Sequence, residues 1–329
     1  GDEFTRRMSF DTGWKFHYGD VENISNPDLD PTTWQDIDLP HDWSITLPFS
    51  QESAGGTATG YTVGGTGWYV KKFSLQKEQS GKRLALYFEG AYMETEVWMN
   101  GRKLIFHPYG YTPFFCDITT SCNPPGQENI LAVKVSNNGK NSRWYSGSGI
   151  YRHVWLETTD KLCLETRGIY ITTPVVESRK AVVRISADIM NSSDATRSGD
   201  VLFRLYREEK EYEDNQSVTV SLEPGERKTI VQQFEIQDPD LWSVESPALY
   251  LADISLKSRK ELRDRISTTF GIRSLSFSAE HGFLLNDTPL ELKGGCLHHD
   301  NGLLGAAAID RAEERKVELL KANGLNAVR

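Results

Sequence analysis

His298, His299 and Asp300 are consecutive and carry the densest chemistry in the chain. A neutral imidazole offers one donor and one acceptor, and a carboxylate accepts two hydrogen bonds at once, so the trio suits a hydroxyl-rich ligand. It does not suit zinc, because adjacent histidines point apart and no third ligand is near in sequence. His41 and Asp42, beside Trp43, form a second His–Asp pair, but no nucleophile accompanies them. The Gly-rich run from Gly55 to Gly67 (GGTATGYTVGGTG) lacks the strand–GxGxxG–helix setting and the Lys-Ser/Thr of a phosphate loop, and reads as a flexible loop. Cys116, Cys122, Cys163 and Cys296 show no CxxC pair and no zinc-finger spacing. A Cys116–Cys122 bridge would close a short loop; four buried thiols is the simpler reading. No residue is assigned as a metal ligand and no cofactor is expected, while metal dependence stays open.

The elements that must position these groups are mostly short strands. Leu84, Leu86 and Phe88 alternate with Ala85 and Tyr87, and the next segment, Glu94–Gly101, ends in Asn100-Gly101, a strong hairpin signal. Leu131, Val133 and Val135 share a face. So do Val183, Ile185, Ala187 and Ile189, then Val201, Phe203 and Leu205, then Val218, Val220 and Leu222. Pro224-Gly225 supplies a turn before Lys228–Ile236, and Tyr250, Ala252, Ile254 and Leu256 close the series. Strands every ~8–12 residues with turns between them indicate β-sandwiches. All tryptophans but Trp242 lie at or before Trp155, so an aromatic, Gly-rich first sandwich gives way near Asp160–Thr166 to a plainer second one. Trp34, Trp43, Trp98 and Trp155 sit in strand-like patterns, where core packing outweighs a ligand-platform role.

After Phe277 the pattern changes. Gly282–Pro289 reads as a hairpin turning at Asn286-Asp287, and Leu290 to Cys296 as a strand entering the His-rich loop. Asp310 is placed to cap a helix, with Glu313 completing a capping box, Val317 and Leu320 on one stripe and Gly324 as the stop. Strand, loop, helix and strand open a parallel βα unit, here within residues 276–329, whereas a (β/α)8 barrel takes ~250 residues. The predicted domains are thus 1–164, 165–275 and 276–329, the last incomplete. It should be ordered only by docking on the sandwiches or on another chain, because its strand edges and apolar faces have no neighbours of their own.

The 329 residues include 37 Lys plus Arg against 46 Asp plus Glu, for a formal net charge of -9. That balance argues against nucleic-acid and acidic-membrane partners, and no apolar run approaches the ~20 residues of a membrane span. The chain starts at Gly1 with neither an initiator Met nor an apolar leader, so a secretory signal has been removed or never existed. The compartment stays open, a periplasmic or secreted one being preferred over cytoplasmic.

Several strings point one way in order and spacing: WQDIDLPHDW (34–43), FEGAYMETEVWMNG (88–101), YGYTPF (109–114), RWYSGSGIYRHVWL (143–156), DLWSVESPALY (240–250), FGIR (270–273), LKGGCLHHD (292–300) and NAVR (326–329). Together they resemble glycoside hydrolase family 2, closest to its β-galactosidase members, over essentially the whole chain. The resemblance implies a mainly β chain: a jelly-roll sugar-binding-type domain, an immunoglobulin-like sandwich, then the start of a catalytic (β/α)8 barrel. It implies a retaining hydrolase acting through two glutamates, and a β-galactoside substrate, with β-glucuronidase or β-mannosidase activity as the alternatives. Those glutamates come from later barrel strands. Of Glu280, Glu291, Glu313, Glu314 and Glu318, the last three fall on the candidate helix and none has the family's Asn-Glu context, so no catalytic carboxylate is assigned here. His298, His299, Asp300 and Arg329 are the expected substrate contacts. Asn141, Ser142, Arg143 and Trp144 lie in a loop that edges the active site in relatives, although Ser142 stands where some relatives carry an acid. The sandwiches would buttress the barrel, a role compatible with a homo-oligomer. A non-catalytic carbohydrate-binding module would explain the sandwiches, but not residues 290–329.

Overall fold

The structure is a computed structural model describing residues 6–25 and 29–329. It divides into two compact units, one made of residues 7–158 with 294–329, the other of 159–293 with Arg6.

In the first unit a six-stranded sheet runs in the order Gln35–Ile37, Trp14–Tyr18, Gly65–Ser74, Glu128–Asn137, Thr95–Met99, Arg102–His107. A four-stranded sheet, Arg7–Ser9, Val154–Thr159, Arg83–Phe88, Phe114–Asp117, faces it across the main core. The alternation read from the sequence is the alternation that buries: Leu84, Leu86 and Phe88 meet Val97, Leu131, Val133 and Val135 in one cluster with Trp14, Phe16 and Tyr69. Burying each such side chain contributes about 1.5–3 kcal/mol. The large sheet buries its other face too, under Ile24, Trp68, Val70 and Ala132 with Trp34 and Trp98 packed against them. The Thr95–Met99 and Arg102–His107 strands turn through Asn100 and Gly101, both at positive φ, as the Asn-Gly pair requires.

Trp98 and Trp155 lie in strands as expected, but Trp34 sits in a bend just before Gln35–Ile37, half-buried against the core. Trp43 is fully buried but belongs to a 3-10 turn, Trp43–Thr46, rather than a strand. Trp155 keeps its indole N–H on Glu89 Oε1 at 2.9 Å, with the Arg7 guanidinium over its ring. The reading of four buried thiols also needs correcting. Cys116 and Cys163 are buried, Cys122 is partly buried and Cys296 is exposed, just past the Gly294–Gly295 strand; no disulfide forms.

The second unit is an immunoglobulin-like sandwich. A three-stranded sheet (Leu162–Val176, Lys180–Asn191, Arg227–Gln237) packs on a four-stranded one in the order Lys210–Leu222, Arg197–Arg207, Tyr250–Ser258, Glu261–Phe270. Val183, Ile185, Ala187 and Ile189 oppose Val201, Phe203, Leu205, Ile254 and Leu256 in a single core. Asn191 donates to the carbonyls of Ala195, Leu222 and Glu223 and so closes the corner beside the Pro224-Gly225 turn. Asp264, wholly buried, is held by Arg6 at 2.6 Å and by the Leu164 N–H at 2.8 Å. Leu275–Ser278, Gly282–Leu285 and Thr288–Pro289 form a meander whose turn at Asn286 and Asp287 has both residues at positive φ.

Residues 294–329 build a parallel strand–helix–strand: Gly294–Gly295 pairs with Ala327–Val328, and helix Asp310–Ala322 lies between them in sequence. The expected strand from Leu290 to Cys296 shrinks to Gly294–Gly295, since only those residues find a partner strand. Asp310 is the first helical residue rather than the cap; Ile309 occupies that position without a side-chain bond. The carboxylates expected in a capping box are engaged elsewhere, Asp310 with His153 and Glu313 with the Asn301 amide. At the other end Asn323 caps the helix and Gly324 follows at φ +79°. No helix among the described residues is long and apolar enough to cross a membrane.

Candidate functional site

The His-rich loop leaves the Gly294–Gly295 strand and is fastened to the first sandwich by a buried carboxylate. Asp42 is 2% exposed. Its Oδ1 accepts the N–H groups of Ser44 (2.9 Å) and Ser148 (3.0 Å); its Oδ2 accepts the Ala306 N–H (2.9 Å) and the Tyr145 hydroxyl. Burial and the Asp42 charge push the Tyr145 hydroxyl far above the ordinary phenol range, so it remains a donor. The fit leaves no slack at Gly147: its φ is +65°, and a Cβ there would overlap Ala306 and reach within 2.7 Å of Asp42 Oδ2. Nearby, the Ala308 N–H donates to the Tyr151 carbonyl at 2.9 Å. The HDW string is thus a structural clasp. His41 points elsewhere, its Nδ1 2.8 Å from the Tyr69 hydroxyl, and burial lowers its pKa to about 4.

His299 is the loop's aromatic anchor. Its Nε2 is hydrogen-bonded to the Ser146 carbonyl, which assigns the proton to that nitrogen and leaves Nδ1 as an acceptor. The ring sits among Tyr151 (5.0 Å between centroids), Tyr111 (5.3 Å) and Tyr92 (6.4 Å). Burial lowers its pKa and keeps it neutral. His298 lies against the Trp144 ring at 4.4 Å. Asp300 is exposed. Arg329 closes the parallel ladder through its backbone, donating to the Gly295 carbonyl at 3.0 Å and accepting the Leu297 N–H at 2.8 Å, while its guanidinium lies 3.8 Å from Cys296 Sγ. The two short strands therefore bring the 298–300 trio and Arg329 to the same end of one parallel pair.

Of the 141–144 loop, Asn141 accepts the Tyr92 hydroxyl at 2.8 Å and donates to Asn137 at 3.0 Å, and Ser142 donates to the Trp144 carbonyl at 2.7 Å. Tyr92, Tyr111, Tyr145 and Tyr151 escape a reading of local spacing, because they reach the loop from separate segments of the sandwich. Among the described residues no group of three or more His, Cys, Asp or Glu could hold a metal ion.

Comparison with known proteins gives this arrangement a context. Residues 8–160 match the family described as "Glycosyl hydrolases family 2, sugar binding domain", and residues 166–273 match "Glycosyl hydrolases family 2". The two sandwiches correspond to these two family domains. Beta-galactosidase BoGH2A of Bacteroides ovatus is 39% identical over 98% of this chain and 38% of its own length. A putative beta-glucuronidase of Formosa agariphila is 34% identical over 98% of this chain and 30% of its own. The crystal structure of a family 2 member from Bacteroides cellulosilyticus superposes with a TM-score of 0.92 at 43% identity, over 99% of this chain and 43% of that one. The chain belongs to glycoside hydrolase family 2, and spans less than half the length of these relatives.

Proposed function

We propose that this chain supplies the scaffold and one wall of the active site in a retaining β-galactosidase-like hydrolase that cleaves terminal β-D-galactosides. The observation that carries the reading is the anchoring of the 296–309 loop, through Asp42 and His299, in a chain 39% identical to a β-galactosidase. In this reading residues 294–329 begin a (β/α)8 barrel, whose active site assembles at the C-terminal ends of the strands. His298 and the free Nδ1 of His299 bind sugar hydroxyls, Asp300 accepts two, and Arg329 donates from the end of the second strand. The acid/base and nucleophile glutamates, ~5–5.5 Å apart in a retaining enzyme, belong to later barrel strands, and residues 1–329 by themselves do not hydrolyse a glycoside.

A β-glucuronidase is the second reading, favoured by the 34% identity to a protein of that name. The experiment is an assay of the complete protein on 4-nitrophenyl β-D-galactoside, β-D-glucuronide and β-D-mannoside. Dominant galactoside turnover supports the proposal. Glucuronide turnover alone moves it to the second reading, and no turnover of any of the three overturns both.

A further inference from the structure

The Ser146–Gly147 peptide is bracketed by one carboxylate. On one side the Tyr145 hydroxyl donates to Asp42 Oδ2; on the other the Ser148 N–H donates to Asp42 Oδ1 at 3.0 Å. Ser146 and Ser148 are both buried. The Asn137 amide adds two bonds, to the Ser148 hydroxyl at 2.9 Å and to the Gly147 carbonyl at 3.2 Å. Turning this segment would break bonds to a charged acceptor inside the protein, where such bonds are stronger than in water.

The carbonyl held in this way is that of Ser146, and it faces His299 Nε2. A carbonyl accepts and never donates, so it pairs only with the tautomer protonated on Nε2; a proton on Nδ1 would leave two lone pairs facing each other. Among the described residues the Ser146 carbonyl is the one hydrogen-bond partner of this ring. The tyrosines beside it direct their hydroxyls elsewhere, Tyr151 to the Gly110 carbonyl at 2.7 Å and Tyr92 to Asn141 at 2.8 Å. They pack on the imidazole without choosing its tautomer.

We infer that Tyr145, acting through Asp42, is a positioning residue: it keeps the Ser146 carbonyl on His299 Nε2 and so fixes the imidazole tautomer, with the Nδ1 lone pair presented to substrate. At Nδ1 the ring then only accepts, and the sugar hydroxyl that meets it must donate. The tautomer follows from the fold alone; that its ligand is a sugar rests on the proposed function.

The test is nitrogen NMR of the chain labelled with 15N-histidine, recorded above the imidazole titration range, with the His299 signals assigned by His299→Gln. Protonated and bare ring nitrogens resonate far apart. Wild type should show one of each, whereas in Tyr145→Phe the two signals should move towards a common average as both tautomers populate. Asp42 keeps its three N–H donors in Tyr145→Phe, so the clasp and the fold persist. Tyr151→Phe is the control: it removes a buried hydrogen bond beside the same ring but leaves the bracket whole, and its His299 signals should match wild type. A split that persists in Tyr145→Phe, or one that collapses equally in Tyr151→Phe, overturns the positioning role. In the complete protein, Tyr145→Phe should raise KM for 4-nitrophenyl β-D-galactoside about fivefold with kcat nearly unchanged, as weakening one ground-state contact does. An unchanged KM beside mixed tautomers overturns the presentation of Nδ1 to substrate. Failure of the complete wild-type protein to turn over any glycoside, with the tautomer result intact, overturns the proposed activity instead.

Discussion

Asp42 and Ala306 lie 264 residues apart in the chain and a single hydrogen bond apart in space. The carboxylate that caps the Trp43–Thr46 turn is also the acceptor that ends the wandering of the His-rich loop, and Tyr145 and Ser148 complete its shell. A buried charge with full hydrogen bonding is stable where it lies, and removing it strands every donor that faced it.

Replacing Asp42 by Ala should therefore cost about 3 kcal/mol or more, since hydrogen bonds to a charged group contribute ~1.5–3 kcal/mol each. Urea unfolding measures the total, and the Ala306 amide should exchange with solvent much faster. Unchanged protection at Ala306 would count against the clasp.

Gly147→Ala probes the same joint by volume. The left-handed backbone alone disfavours a side chain by about 1 kcal/mol, and the added methyl group displaces Ala306 or Asp42. A loss of about 2–3 kcal/mol is expected, whereas Gly225→Ala, with nothing within 4 Å of its Cβ, should cost only the backbone part. Parallel melts of the two variants make the comparison.

Burial keeps His41 and His299 neutral, His41 down to about 4. The unfolded chain takes up protons near pH ~6.5 while these imidazoles do not, so their contribution is present above that pH and lost as pH falls through the folded values. For His41 it is about 3 kcal/mol between pH ~6.5 and 4. The unfolding temperature should drop across this window, and drop less steeply in His41→Gln; parallel curves would contradict the assignment.

His153 behaves in the opposite sense. It sits between Asp11 and Asp310, 2.8 Å from each, and although burial disfavours its charge, the two carboxylates together raise its pKa. Its contribution is complete below pH ~6.5 and fades as pH rises through the higher folded value. An NMR titration of His153 should give a midpoint above 6.5 that falls in Asp310→Asn.

The sandwiches were legible because strand alternation is local: Val183 to Ile189 and Leu84 to Phe88 declare their buried faces within a few residues. Turns at Asn100-Gly101 and Asn286-Asp287 were equally plain, since few residues accept positive φ. The site was half legible. His298 to Asp300 stood out by composition, but the Asp42 clasp and the tyrosines around His299 are made by distant segments. The Asp310 cap failed for the same reason: a capping box is a local expectation, and His153, 157 residues away, competes for its carboxylate.

The central claim, that the 298–300 loop is one wall of a β-galactoside pocket, is tested most directly by kcat/KM of the complete protein on 4-nitrophenyl β-D-galactoside, wild type against His298→Ala. Loss of one substrate hydrogen bond predicts a fall of about 10–100-fold with unfolding behaviour unchanged. An unaltered kcat/KM in a folded variant would contradict the account.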